Sequence, residues 1–557
     1  MSDVPSRYQH LRIELSTIAY VMIAITIGLA AGRIAVVKSR EGDTAFLSAN
    51  DRSRWCTVAS LVEDGTYAID RQMAIKDSSG KRRPWSSIDR VRHTGPDGLM
   101  HDYSSKPPLF STMVAGVYWL VYQVSQMSLT DQPIYVARIV LALVNLPLLL
   151  IMLGSIWRVV QGSRASDSAK LYAVAIACFG TALLPMAISL NNHLPAAMTT
   201  AVTLMLYLSV AGKTELREVA SSYFLAGLAA SATVANELPA LAMLAVWTAL
   251  FMRQHVVATI AVFLPAVAIV AIAFFISNQI AHQSFRPPYM HRSDGEILGA
   301  LEIKSAPDGP SREQISDCIK SEADVRQNLG TEFSLLKTPS ASRWILESAD
   351  RNIRYALVQA NAEKVQADAA DATTVPADQG TLSTWQIRQW DHWYDYSGSY
   401  WTGKKPGVDA GEKNRLLYAF HLLLGHYGLF SLTPVWILVP MGLWLRIKEL
   451  HGRNHMLLAA GIAAVSLVCL AFYISRPEID RNYGGVSSSF RWLLWFMPLW
   501  VWAAIPAITW AMERDWARRV ALVLFFATVF SMATALDNPW QHPWIYRYLS
   551  FLGWIEP

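Results

Sequence analysis

Charge is scarce in this chain. Of 557 residues, 48 are Lys or Arg and 43 are Asp or Glu, 16% in all, where soluble domains run at about a quarter. A soluble chain of this length would split into several cores, each with a polar surface to cover. Basic blocks are lacking as well. The net charge of +5 is mild, and lysines and arginines fall mostly beside apolar runs; this reads as topology and excludes a nucleic-acid arm. Cysteine is sparse. Cys178 and Cys469 lie inside apolar runs and read as packing residues, whereas Cys56 and Cys318 fall in hydrophilic segments and would pair only in an oxidising compartment. No CxxC or His/Cys ligand spacing occurs, which argues against structural zinc. No internal repeat is visible, which weighs against transporters built from inverted halves.

What the chain has instead is apolar length. The hydrophobic residues make up 53% of the sequence and cluster into runs of roughly 18 to 27 residues, long enough for a bilayer of about 30 Å. The 21 tryptophans suit aromatic belts at membrane edges. Candidate spans are 15–37, 134–160, 170–190, 194–212, 219–236, 238–252, 255–278, 427–446, 456–474, 491–511 and 519–537. The first is too long for a cleaved signal segment and reads as a retained span. The run at 109–126, after Lys106-Pro107-Pro108-Leu109, is decided by the positive-inside rule. With the amino terminus inside, the basic turns holding Arg158, Arg164 and Lys170, Lys213 and Arg217, Arg253, Arg446, Lys448 and Arg453, and Arg514, Arg518 and Arg519 all fall in the cytoplasm only if this run does not cross. Its Tyr118, Trp119, Tyr122 and Gln123 suit a helix lying in the outer interface.

The expected fold is therefore an all-α polytopic membrane protein with about eleven transmembrane helices plus juxtamembrane helices. Three segments are expected: 1–278, a transmembrane module that includes an outer loop at 38–133; 279–426, an extracytoplasmic α or α+β insertion; and 427–557, a second transmembrane module. Within the insertion, "AEKVQADAADATTVPADQG" reads as a mobile loop.

Chemistry-bearing residues collect on the outer side. Asp51, followed by Arg52 and Arg54, stands near the start of a helical stretch that stops at Gly65. Asp102 and Lys106 lead into the interfacial helix. Asn191, Asn192 and His193 form a polar outer turn, which would also serve simply to cap a span. Glu237 sits at a span end, where an acid beside lipid needs a role or a partner. Arg491 opens a span after the flexible "YGG". His421 and His426 are five apart, off the i, i+4 spacing of helical ligands, and read as interface residues. Trp385, Trp390, Trp393 and Trp401 would suit sugar stacking, with an aromatic belt as the plainer explanation.

An early outer-loop acid, a "KPPL" entry to a juxtamembrane helix, a long span, a basic turn, a span and a polar outer turn follow one another over residues 15–280. In this layout the chain resembles the polyprenyl-phosphate-sugar glycosyltransferases of the GT-C fold, and within them is most similar to the protein O-mannosyltransferase and aminoarabinose-transferase branch. The motifs that carry the resemblance are the Asp51 neighbourhood and Lys106-Pro107-Pro108-Leu109. The chain departs from it in having Asp51-Arg52 where Asp-Glu is common, and Asn191-Asn192-His193 where an acid is frequent.

The resemblance implies an inverting membrane glycosyltransferase working at the extracytoplasmic face of a plasma or inner membrane. Its partners would be a polyprenyl-phosphate-linked sugar, a lipid, glycan or protein acceptor, and membrane lipids, with no nucleic acid. The chemistry of the residues agrees. An acceptor hydroxyl needs a carboxylate to take its proton, and a departing phosphate needs fixed positive charge. Asp51 is the expected base, or a ligand of a divalent metal ion, a cofactor left open. Lys106 and Arg491 are expected on the phosphate, with Arg52, Arg54, Asp102, Asn191, Asn192, His193 and Glu237 as further substrate-binding candidates. Two other functions compete: a transporter or lipid-linked-sugar flippase, disfavoured because ionisable residues are nearly absent from mid-membrane, and a non-enzymatic envelope sensor or assembly protein receiving its signal at 279–426.

Overall fold

The computed structural model describes residues 14–304, 310–319, 325, 327, 329, 332–338, 342–348, 353–360, 382–403, 405–448 and 452–555. The Ala/Asp/Thr-rich stretch of the insertion lies outside these residues, as does the side chain of Cys318. Cys56, Cys178 and Cys469 are buried.

The chain gathers into two units. The first comprises 1–62, 109–274 and 405–557, and the second 63–108 and 275–404. The first thus draws on both segments read as transmembrane modules, while the second joins most of the insertion to a stretch of the first outer loop.

In the first unit every apolar run forms helix. Among the described residues seven helices are long and apolar enough to cross a membrane: Leu15–Val36, Pro133–Gln161, Asp167–Met186, Val256–His282, Arg453–Ser475, Arg491–Met512 and Asp515–Ala533. His193–Ser209, Leu216–Asn236, Leu238–Gln254 and Leu438–Lys448 account for the remaining runs. The chain is an integral membrane protein. Asp167–Met186 and Arg491–Met512 are mostly buried, at 78% and 83%, whereas Leu15–Val36 is 22% buried. Ile25 and Leu29 on that outer helix stand exposed, a large apolar surface that suits lipid rather than water.

Two local devices bear on the site. Ser48 caps the helix Ala49–Ala59, its hydroxyl accepting the Asp51 N–H. That helix runs through a π turn over Ser60–Asp64 and stops at Gly65, where φ is +68°. The run after the KPPL prolines is an 18-residue helix, Pro108–Ser125, started by the proline whose missing N–H would have had no helical partner. Met113, Leu120 and Val124 on it are exposed.

The second unit is α+β. Strands β1 (Arg90–Thr94) and β2 (Met100–Ser104) form an antiparallel hairpin. Strands β3 (Ile297–Lys304), β4 (Phe333–Lys337), β5 (Arg343–Ser348), β6 (Arg354–Gln359) and β7 (Leu382–Gln389) form an antiparallel sheet in the order β3-β7-β6-β5-β4. Leu301, Leu346, Leu357 and Ile387 form its covered face together with Ile315 and Ile319 of the helix Arg312–Ile319. Trp385 belongs to that core. Trp393 packs on His291, ring centroids 3.4 Å apart, and on His93, while the Trp401 indole N–H donates to the Ile88 carbonyl. Arg354 lies over Trp390. Each of the four tryptophans considered for sugar stacking thus has a partner within its own unit.

Candidate functional site

The site in the first unit begins with the cap that starts Ala49–Ala59. The turn into this helix brings the Asp51 carboxylate back over its own backbone, where Oδ2 accepts the Leu47 N–H at 2.9 Å. Oδ1 accepts the N–H of Leu190 at 3.1 Å. Asp51 is fully buried. Burial raises its pKa to about 7, against the two backbone hydrogen bonds and the charges of Arg52 and Arg54, which pull it down. A carboxyl poised there is half-ionised near neutral pH and able to take a proton and return it.

Leu190 belongs to the polar turn that precedes His193–Ser209. Asn191 does cap that helix: its Oδ1 accepts the N–H groups of His193 and Leu194, at 3.0 and 3.2 Å. Its amide donates to the carbonyls of Met186 and Ser189. Asn192 and His193 are thereby held side by side, each with a different partner. Arg54 Nη2 donates to Asn192 Oδ1 at 2.7 Å, and Arg54 also bonds Asn50 one turn earlier. Asn192 Nδ2 donates to the Asn236 carbonyl and to Glu237 Oε1, at 2.8 and 2.7 Å. His193 Nδ1 meets the same Glu237 oxygen at 2.5 Å. Both side chains are buried, His193 at 2% exposure and Glu237 at 8%.

The last member arrives from far along the chain. Arg491 opens a short 3-10 helix, Arg491–Phe496, which packs against His193–Ser209. Its Nη1 lies 3.1 Å from His193 Nε2, and its Nε donates to the Gly484 carbonyl at 2.8 Å. That carbonyl sits in a turn where Tyr483, Gly484 and Gly485 all have positive φ, from +56° to +90°. A Cβ on Gly484 would come within 3.3 Å of the Arg491 Nε, so glycine suits the turn twice over. The guanidinium lies over the Trp540 ring, 5.0 Å from its centre, and the Trp540 indole N–H donates to Ser189 Oγ at 3.0 Å.

Asp51, Arg54, Asn191, Asn192, His193, Glu237 and Arg491 are therefore drawn together by hydrogen bonds within one unit, and Arg52 acts on Asp51 through its charge. Lys106 and Asp102 belong to the other unit and do not pair with each other. Lys106 Nζ pairs with Asp89 at 3.0 Å. Asp102 pairs with Arg90 and with Arg92, its cross-strand neighbour in the hairpin.

Sequence reasoning missed Asn145, Ser189, Gly484 and Trp540. Asn145 donates to the carbonyls of Ala187 and Ser189, at 2.8 and 3.0 Å, and steadies the stretch before the polar turn. A lone amide in an otherwise apolar span was its signal. Trp540, between prolines outside every apolar run, gave none. The helix Arg415–Leu423 ends between His421 and His426, and the turn at Gly425 folds His426 back so that the two rings stack at 4.0 Å.

Among the described residues no group of three or more His, Cys, Asp or Glu side chains is gathered to hold a metal ion. Both Asp51 oxygens already accept backbone N–H groups.

No protein-family model matches the sequence, and no curated protein matches it. Solved structures do. The chain is similar to an oligosaccharyltransferase from Archaeoglobus fulgidus, crystallised with Zn and sulfate, at 12% identity and a TM-score of 0.42, covering 96% of this chain and 55% of that one. The chain thus spans about half the length of the archaeal protein. It is also similar to the S. cerevisiae protein O-mannosyltransferase Pmt1–Pmt2 complex bound to the sugar donor, at 11% identity and a TM-score of 0.44, covering 98% of this chain and 93% of that one.

Proposed function

We propose that this membrane protein is an inverting glycosyltransferase that moves a sugar from a polyprenyl-phosphate donor to an acceptor hydroxyl at the extracytoplasmic face. The observation that carries the reading is Asp51: a fully buried carboxyl, held by two backbone amides, with its pKa brought to about 7 beside arginines.

In the proposed step the acceptor oxygen attacks the anomeric carbon from the side opposite the phosphate. Its proton passes to a carboxylate oxygen of Asp51. The bond from the anomeric carbon to the phosphate oxygen breaks, and its electron pair leaves with the polyprenyl phosphate. The configuration at that carbon inverts. A phosphate leaving group needs positive charge more than a proton. Arg54 and Arg491 supply it, the latter as a planar fork suited to two phosphate oxygens. Asn191 holds the polar turn, and Asn192 and His193 link it to Arg54 and Arg491.

The test is transfer by the purified protein in liposomes loaded with a radiolabelled polyprenyl-phosphate sugar. Label should pass to an acceptor, and Asp51→Asn should stop it. Movement of the intact donor between leaflets without transfer would replace this reading with a flippase.

A further inference from the structure

One carboxylate oxygen lies at the centre of the buried network. Glu237 Oε1 is shared by Asn192 Nδ2 at 2.7 Å and His193 Nδ1 at 2.5 Å. On the far side of Asn192 stands Arg54, and on the far side of His193 stands Arg491. A guanidinium has only donors. Arg491 Nη1 at 3.1 Å therefore requires a lone pair on His193 Nε2, which puts the ring's single proton on Nδ1, aimed at Glu237. Asn192 has the same polarity: its oxygen takes the Arg54 bond and its nitrogen gives to Glu237. Both chains run in one sense, from arginine through a neutral relay to the same acid.

We infer that Glu237 is a positioning residue which, through Asn192 and the neutral Nδ1–H form of His193, fixes the directions of Arg54 and Arg491, so that the two guanidiniums act as one preset clamp for an oxyanion. The inference rests on the glycosyl-transfer reading only for the identity of that anion, a polyprenyl phosphate. Three guanidiniums, Arg52, Arg54 and Arg491, face two carboxylates, Asp51 and Glu237. A plain charge-balancing role for Glu237 is thus a real competitor, and it predicts the opposite sign in the right experiment.

Glu237→Gln keeps the shape and removes the charge. If Glu237 merely offset positive charge, its loss would leave the site more cationic, and decaprenyl phosphate in detergent micelles would bind the full-length protein more tightly. Positioning predicts binding weaker on the order of tenfold, the worth of one charge-assisted hydrogen bond. His193→Gln presents one donor and one acceptor in place of the two ring nitrogens and should keep most of the binding, whereas His193→Ala should lose it.

The ring itself gives a readout independent of the donor. In ¹⁵N-histidine-labelled protein, the signals absent from His193→Gln belong to residue 193. They should report a protonated Nδ1 and a bare Nε2 at pH 7, and should move toward mixed tautomers in Glu237→Gln. A ring protonated at Nε2 in the wild type, or binding that is unchanged or tighter in Glu237→Gln, overturns the inference. Absence of decaprenyl phosphate binding in the wild type would count against the donor proposed above, and the ring signals would still decide the role of Glu237.

Discussion

Asp51→Asn tests the proposed base, and the structure says it will do two things at once. Both oxygens of Asp51 accept backbone N–H groups, from Leu47 and Leu190. An asparagine has one acceptor oxygen, so its amide nitrogen must face one of these donors. A buried N–H left without a partner costs about 1–3 kcal/mol. Against this, the aspartate carries a burden that asparagine lacks. The folded chain keeps the Asp51 proton up to about pH 7, whereas an unfolded chain releases it near the ordinary value of 3.8. Between these values the folded state binds the extra proton, so its stability is greatest at the acid end and declines as pH rises. By pH 8 the loss reaches on the order of 4 kcal/mol. Thermal unfolding of the purified protein at pH 5 and pH 8 should therefore show a drop for wild type that is smaller for Asp51→Asn. Transfer should run the other way, falling about tenfold for each pH unit below 7 as the base is protonated, and Asp51→Asn should lower it by roughly 10²–10⁴ at pH 8. A transfer rate that is level from pH 5 to 8 in wild type, or retained in Asp51→Asn, would refute the assignment.

Lys106→Ala should lower stability by no more than about 1 kcal/mol, the scale of a partly exposed ion pair, measured by thermal unfolding; a larger loss would mark a lysine buried in a tighter network. Gly425→Ala should destabilise the protein by about 1–3 kcal/mol, measured by thermal unfolding, because a Cβ there would run into the His421 ring and meet its Cα at 2.7 Å. A cysteine scan of the helix Pro108–Ser125 and of residues 128–132 should label from the outer side at both ends; labelling of 128–132 from the cytoplasm alone would reverse the proposed topology. Trp540→Leu should remove the ring beneath Arg491 and the bond to Ser189, and lower transfer more than it lowers the unfolding temperature.

The helices were legible because lipid demands a length, and most of the apolar runs supply it; the run at 109–126 needed the positive-inside rule as well. The polar turns at Asn191–His193 and Glu237 were legible for the opposite reason, as hydrophilic interruptions too short to be loops of their own. The helix start near Asp51 and the stop at Gly65 followed from local rules. What stayed hidden depends on non-local pairing. Nothing in "DYSSKPPLF" announces that Asp102 turns to two arginines across a hairpin while Lys106 turns to Asp89. The grouping of 63–108 with 275–404 is of the same kind. The stacking of His421 on His426 depends on where the helix ends, which the spacing of five does not give. The tether from Asp51 to Leu190 uses a main-chain N–H, which no side-chain pattern can reveal.

The bonds that join Arg54 to Arg491 by way of Asn192, Glu237 and His193 span most of the polypeptide. A nascent chain can insert its early helices and fold the Asp51 turn long before residue 491 leaves the ribosome. Until then His193 has no cation at its outer nitrogen, and no amount of early folding completes the constellation. The buried constellation should therefore close late in biogenesis, with the last helices, so that a half-made chain in the membrane holds only its early half.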